Sequence, residues 1–120
     1  MRIAIIGAGV AGSIMARGLA NQPGLEVHCL ERIARGDHAE AGTGLNIGPN
    51  AVQALMHSDA ALAQMIADIS FPWSSWRVST MGGQQLFNLS LRDIAPVGGW
   101  RLRWAELYRV LRDAAGDAIR

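Results

Sequence analysis

The 120-residue chain is half apolar, 18% charged and carries a net charge of +1, a composition that excludes a disordered polymer and sizes it as one small globular domain at most. Near-neutrality with scattered arginines removes the electrostatic case for nucleic acid or a membrane surface as a partner, and a lone cysteine, Cys29, excludes a disulfide framework. The apolar start is broken at Gly7, so neither a signal peptide nor a membrane span is expected, and the protein is read as cytoplasmic.

The first element in the chain is a strand through Ile3-Ala4-Ile5-Ile6, followed at once by Gly7-Ala8-Gly9-Val10-Ala11-Gly12. This G-x-G-x-x-G turn reads as a dinucleotide cradle. A pyrophosphate needs several backbone N–H donors and a positive helix end, and side chains would hold it off. Gly7 lets the strand turn sharply, Gly9 lets the backbone approach the phosphates, and Gly12 lets the helix pack close to the strand. The following helix carries an apolar stripe of Val10, Ile14, Met15 and Leu19 and ends before Asn21-Gln22-Pro23-Gly24. A second strand, Val27-His28-Cys29-Leu30, leads to Glu31, 19 positions after Gly12. An acid at an offset of about 20 residues accepts hydrogen bonds from ribose hydroxyls and repels a 2′-phosphate. The expected nucleotide is therefore unphosphorylated at that position, FAD or NAD. Cys29, inside the strand, is expected to be a buried, inert thiol.

A polar loop runs from Ile33 to Ala41, with Arg35-Gly36-Asp37 as a turn. His28, His38 and His57 do not fall at metal-ligand spacing, so no metal site is expected. In Gly42-Thr43-Gly44-Leu45-Asn46-Ile47-Gly48-Pro49-Asn50-Ala51-Val52 the glycines imply a backbone held close to something. Pro49 or Asn50 opens a helix whose apolar face is Val52, Leu55 and Met56. Another helix is predicted from Ser58 as its cap, with Leu62, Met65, Ile66 and Ile69 facing inward. Past Phe71-Pro72 the pattern alternates: Trp76, Val78 and Thr80 share a face, Gly82-Gly83 turns, and Leu86 to Leu91 returns. Such a hairpin is foreign to a plain nucleotide-binding fold, so residues 72–100 are read as a substrate-side insertion. The chain comes back through Val97-Gly98-Gly99-Trp100-Arg101-Leu102-Arg103 into a helix striped with Trp104, Leu107, Tyr108 and Leu111. Gly116 to Arg120 reads as the turn into a third parallel strand. The expected architecture is α/β, a Rossmann-type βαβ unit with an inserted β-hairpin, occupying residues 1–120 and incomplete at its C-terminus.

Three segments together resemble the N-terminal part of the FAD-dependent aromatic hydroxylases, the single-component flavoprotein monooxygenases related to p-hydroxybenzoate and salicylate hydroxylases. They are Gly7 to Gly12, the Glu31-Arg32 pair, and Gly42 to Val52, which is similar to the family's G-x-G-(I/L)-x-(I/L)-x-P-N-A segment and is the specific carrier. The resemblance covers almost the whole chain. It implies an FAD-binding fold with cofactor contacts from Gly7, Gly9, Ala11, Gly12, Glu31, Arg32, Gly44 and Asn46. The family's return helix begins R-x-x-L-x-x-x-L; Leu107 and Leu111 match, but the arginine position holds Trp104. Arg103, or less well Arg101, then becomes the candidate flavin-contacting arginine.

The implied chemistry is reduction of FAD by NADH or NADPH, followed by hydroxylation of an aromatic or heteroaromatic ring through a flavin C4a-hydroperoxide. The protein supplies positioning and electrostatics, and no catalytic side chain or metal is assigned among these residues. A small aromatic substrate is the implied ligand. A pocket for it and FAD needs walls that 120 residues lack, so the rest of the enzyme, or a complementing chain, is the implied partner, and the segment alone is expected to be inactive. Two other readings stay open: another FAD oxidoreductase of the same fold (an epoxidase, reductase or halogenase), and a non-enzymatic Rossmann module that binds NAD, FAD or a partner.

Overall fold

The computed structural model describes residues 1–34, 37 and 42–120. Its elements, in chain order, are β1 (Arg2–Ile6), α1 (Val10–Ala20), β2 (Glu26–Leu30), β3 (Gly44–Ile47), α2 (Pro49–Ser58), α3 (Ala60–Asp68), β4 (Phe71–Trp73), β5 (Ser75–Ser79), β6 (Gln85–Ser90), α4 (Leu91–Ile94), β7 (Gly99–Arg103) and α5 (Trp104–Ala115), closed by a 3-10 turn at Gly116–Ala118. Arg35, Gly36 and His38, on which a turn and one of the three histidines were expected, lie outside the described residues. Two compact units result, one of Met1–Thr43 with Arg103–Arg120, the other of Gly44–Leu102.

In the first unit β1 and β2 run parallel, in register from Arg2 opposite Glu26 to Ile6 opposite Leu30. Parallel strands need a crossover, and α1 supplies it. The core holds Ile5, Ala8, Ala16, Cys29 and Ala115, with Ile3, Val27, Ala118 and Ile119 packed against it. The buried face of α1 differs from the expected stripe. Ser13 and Ala16 are its buried residues, whereas Met15 is exposed. The physical reason is proximity: the helix starts so close to the end of β1 that small side chains are what fit, and the Ser13 hydroxyl is satisfied by donating to the Ala8 carbonyl at 3.0 Å.

Helix α5 packs along α1 and buries Leu107, Leu111 and Ala115, together with Arg112. Past the 3-10 turn, Ile119 forms a parallel bridge to Cys29. The Arg120 N–H donates to the Cys29 carbonyl at 2.8 Å, and the Glu31 N–H donates to the Arg120 carbonyl at 2.9 Å. Ile119 thus stands beside β2 in a single parallel bridge, at the place where Gly116 to Arg120 was read as the turn into a third strand.

In the second unit β7 lies between β3 and β4, and β4 runs antiparallel to β7. Gly99 is dictated by this sheet, because a Cβ there would stand 2.7 Å from both the Ile47 carbonyl oxygen and the Trp73 ring. Strands β5 and β6 form a separate antiparallel hairpin with a register shift at Val78/Ser79. Pro49 opens α2, whose buried residues are Pro49 and Val52, while Met56 stays exposed. The cap of α3 is Asp59, not Ser58: its carboxylate accepts from the Leu62 N–H at 2.9 Å. Ser58 is still helical, the last residue of α2, and its hydroxyl donates back to the Leu55 carbonyl at 3.3 Å. The buried face of α3 is Leu62, Ala63 and Ile66, with Met65 exposed.

Candidate nucleotide-binding site

The candidate site is built on the first unit, at the end of β1 and β2. Gly7 leaves β1 with φ of +94°, a conformation that L side chains rarely adopt, and its N–H donates to the Leu30 carbonyl at 2.8 Å. That bond ties the turn to the end of β2. Gly9 is the N-cap of α1, with extended backbone and no capping side chain, so the donors of the first turn, including Ala11, have no side-chain acceptor at the cap. A Cβ on Gly9 would meet nothing within 4 Å. The space in front of the turn is open, and glycine keeps it so. Gly12 answers a different need, because a Cβ on it would overlap the Gly7 carbonyl oxygen.

Glu31 follows β2 and is held on both oxygens. Its Oε2 accepts from the Ala8 N–H at 2.7 Å and its Oε1 from the Ile33 N–H at 3.0 Å. The Ile33 N–H bond is the largest influence on its acidity; with the Ala8 N–H, the Arg112 charge and the Arg32 N–H, it outweighs burial and keeps the carboxyl below the usual carboxylate range. The Ala8 donor is therefore spent inside the protein. An anion is left the first-turn donors of α1, and hydroxyls are left the carboxylate. Cys29, fully buried two residues before Glu31, donates its thiol to the Gly7 carbonyl at 3.7 Å. Burial, reinforced by the Glu31 charge, pushes that thiol up.

Among the expected cofactor contacts, Gly7, Gly9, Ala11, Gly12 and Glu31 are brought together, and Arg32 is exposed beside them. Gly44 and Asn46 belong to the second unit, at alternate, exposed positions of β3, and so share one face of the strand. Arg103 is exposed at the junction of β7 and α5. Its neighbour Trp104 donates its backbone N–H to the Thr43 carbonyl at 3.2 Å and stacks on Tyr108 with centroids 5.4 Å apart. Arg101 sits 6.0 Å over the Trp73 ring.

The residue missed in the sequence is Arg112. Its guanidinium lies 3.4 Å from Glu31 Oε2 and donates to the carbonyls of Ala8 at 3.3 Å and Ile33 at 3.4 Å. A signal was present: the stripe through Tyr108 and Leu111 continues at helical spacing onto position 112, and a charge on an apolar stripe asks for a buried partner.

Elsewhere, a depression of about 410 Å³ lies within the second unit, lined by residues that include Met56, Pro72, Trp73, Arg92, Val97 and Trp100. Among the described residues no His, Cys, Asp and Glu cluster could hold a metal ion. Among the described residues no helix is long and apolar enough to cross a membrane.

This fold is shared with part of the FAD-dependent monooxygenases. The chain is similar to CtdE, solved in complex with FAD and a substrate, with a TM-score of 0.77 and 21% identity over all of this chain and 29% of that one. It is similar to the tetrameric form of 2-methyl-3-hydroxypyridine-5-carboxylic acid oxygenase, with a TM-score of 0.75 and 18% identity over 99% of this chain and 30% of that one. It is likewise similar to p-nitrophenol 4-monooxygenase PnpA from Pseudomonas putida DLL-E4, with a TM-score of 0.73 and 15% identity over 99% and 32% of the two chains. The chain thus spans between 29% and 32% of the length of these three structures. No protein-family model matches it, and no curated protein does.

Proposed function

We propose that the chain is the FAD-binding part of an NAD(P)H-dependent flavoprotein monooxygenase that hydroxylates an aromatic or heteroaromatic ring. The observation that carries this reading is the division of labour among the glycines: positive φ at Gly7, close packing at Gly12, and open space at Gly9 in front of an uncapped helix start. A dinucleotide fits that arrangement, its pyrophosphate at the first-turn donors of α1 and its adenosine ribose at Glu31. The likeness to CtdE, whose structure contains FAD, favours the flavin over a nicotinamide nucleotide as the resident group.

In this reading Gly7, Gly9, Ala11 and Gly12 form the phosphate cradle, Glu31 and Arg32 meet the adenosine end, and the exposed face of Gly44 and Asn46, with Arg103, serves the rest of the cofactor. The flavin supplies reduction by a nicotinamide donor and activation of oxygen. The chain's residues bind and orient. The β5–β6 hairpin, with Trp76 and Phe87 edge-to-face at 5.5 Å and both exposed, is read as the substrate-side insertion. The remainder of the enzyme, or a complementing chain, completes the pocket, and the nicotinamide donor puts the activity in the cytoplasm.

The test is spectroscopic and then kinetic. The whole protein should bind FAD, show flavin bands, and oxidise NADH or NADPH with oxygen uptake stimulated by phenols or hydroxypyridines. A colourless protein stabilised by NAD, with no flavin uptake, would sink the proposal in favour of a non-enzymatic module.

A further inference from the structure

We propose that Arg112 is a positioning residue of the nucleotide site, one that sets the Glu31 carboxylate for the ribose. The inference rests on the dinucleotide reading above and adds a residue from a helix that the glycine turn does not predict. Arg112 is 4% exposed, so it has little surface to offer a ligand and must act through what it touches. The partners named above belong to three segments: Ala8 of the glycine turn, Glu31 at the end of β2, and Ile33 of the loop beyond.

A guanidinium is planar, with five donors in a fixed fork. Contacts made in different directions from that fork hold the three segments in one arrangement. The ring of Tyr108, one turn earlier on α5, lies 5.7 Å from the guanidinium carbon and adds a cation–π contact that steadies it. On the carboxylate, Oε2 receives the Ala8 N–H and Arg112, and Oε1 receives the Ile33 N–H. With the Arg32 N–H, which also lowers the Glu31 pKa, these donors hold the ionised carboxylate, an acceptor only, in one orientation toward the ribose hydroxyl it would receive. The other buried residues of α5, Leu107, Leu111 and Ala115, are apolar; a cation among them is tolerable because the carboxylate and two carbonyls receive it.

The probes are ADP and 2′-deoxy-ADP, which share the pyrophosphate and differ in one ribose hydroxyl, measured by calorimetry on the whole protein. The unaltered protein should prefer ADP by about tenfold, the scale of a hydrogen bond to a charged group, and Glu31→Gln should lose most of that preference. Arg112→Met should lose it too, down to about twofold, while keeping its affinity for 2′-deoxy-ADP. Equal weakening of both nucleotides with the preference intact would show a merely structural arginine and overturn the inference alone. Failure of the unaltered protein to bind either nucleotide overturns the dinucleotide reading, and the inference with it. Should Arg112→Met fail to fold, Arg112→Lys is read in the same way, because a point charge cannot reproduce the fork; a preference undiminished in that variant overturns the proposal.

Discussion

The α-carbon of Gly12 lies so close to the carbonyl of Gly7 that residue 12 has no room for a side chain. Helix α1 is thereby seated against the turn from which it starts. Gly9, three positions earlier, faces open space instead.

This contrast predicts that two substitutions in one motif separate folding from binding. Gly12→Ala forces the helix off the turn and is expected to destabilise by about 1–3 kcal/mol, as overpacking does, measured as a lower midpoint in urea. Gly9→Val should lower the midpoint only by the loss of a favoured cap residue, about 1 kcal/mol or less, since its backbone is extended and its Cβ meets nothing, yet it should abolish FAD and ADP binding by placing a side chain where the pyrophosphate is proposed to sit. Nucleotide binding that survives in Gly9→Val would refute the assigned cradle.

The acidity of Glu31 predicts a pH signature. A carboxylate whose folded pKa is depressed contributes stability that is complete above its unfolded value, about 4.3 for glutamate, and that is lost as pH falls through the folded value. At pH 7, Glu31→Gln also strips Arg112 of its anionic partner, and the expected cost is about 1–3 kcal/mol, less than for a fully buried pair. The gap between the two proteins should narrow as pH drops below about 4. A gap that stays constant from pH 7 to pH 3 contradicts the depressed pKa.

Cys29 should be chemically silent. Its side chain is fully buried, and its thiol is pushed up by burial and by the Glu31 charge, so little thiolate is available. Labelling by a thiol reagent at pH 8 is expected to be on the order of 100-fold slower than in denaturant, because it must wait for opening of the β1–β2 unit. Rapid labelling under native conditions would contradict this placement.

The start of α3 offers a local check. Asp59→Ala removes the acceptor of the Leu62 N–H and should cost about 1 kcal/mol, whereas Ser58→Ala, one residue earlier, should change stability by less than about 0.5 kcal/mol. Chemical denaturation of the two variants distinguishes them directly.

Features whose cause is local were legible from sequence alone. The glycine turn, the strand before it and Glu31 follow from backbone freedom and periodicity, and each stands where its spacing put it. Misreadings arose where packing decided. Met15, Met56 and Met65 have the right period for a buried face, yet smaller or branched neighbours take the interior, as Ser13 and Ala16 do where the first turn of α1 sits tight against the strand. Arg112 escaped notice for a related reason. Its partners lie 104 and 79 positions away for Ala8 and Ile33, a distance over which no helical or strand pattern carries information.

Those long separations bear on how portable the nucleotide cradle is. A β1–α1–β2 stretch transplanted into another protein would carry each glycine and the carboxylate, but the cation that braces them is contributed by α5. Bringing Arg112 to Ala8 closes a loop of roughly a hundred residues, and a transplanted stretch would do without that closure and its ordering cost. Without α5, Glu31 keeps the Ala8 and Ile33 N–H donors but loses the cation beside them.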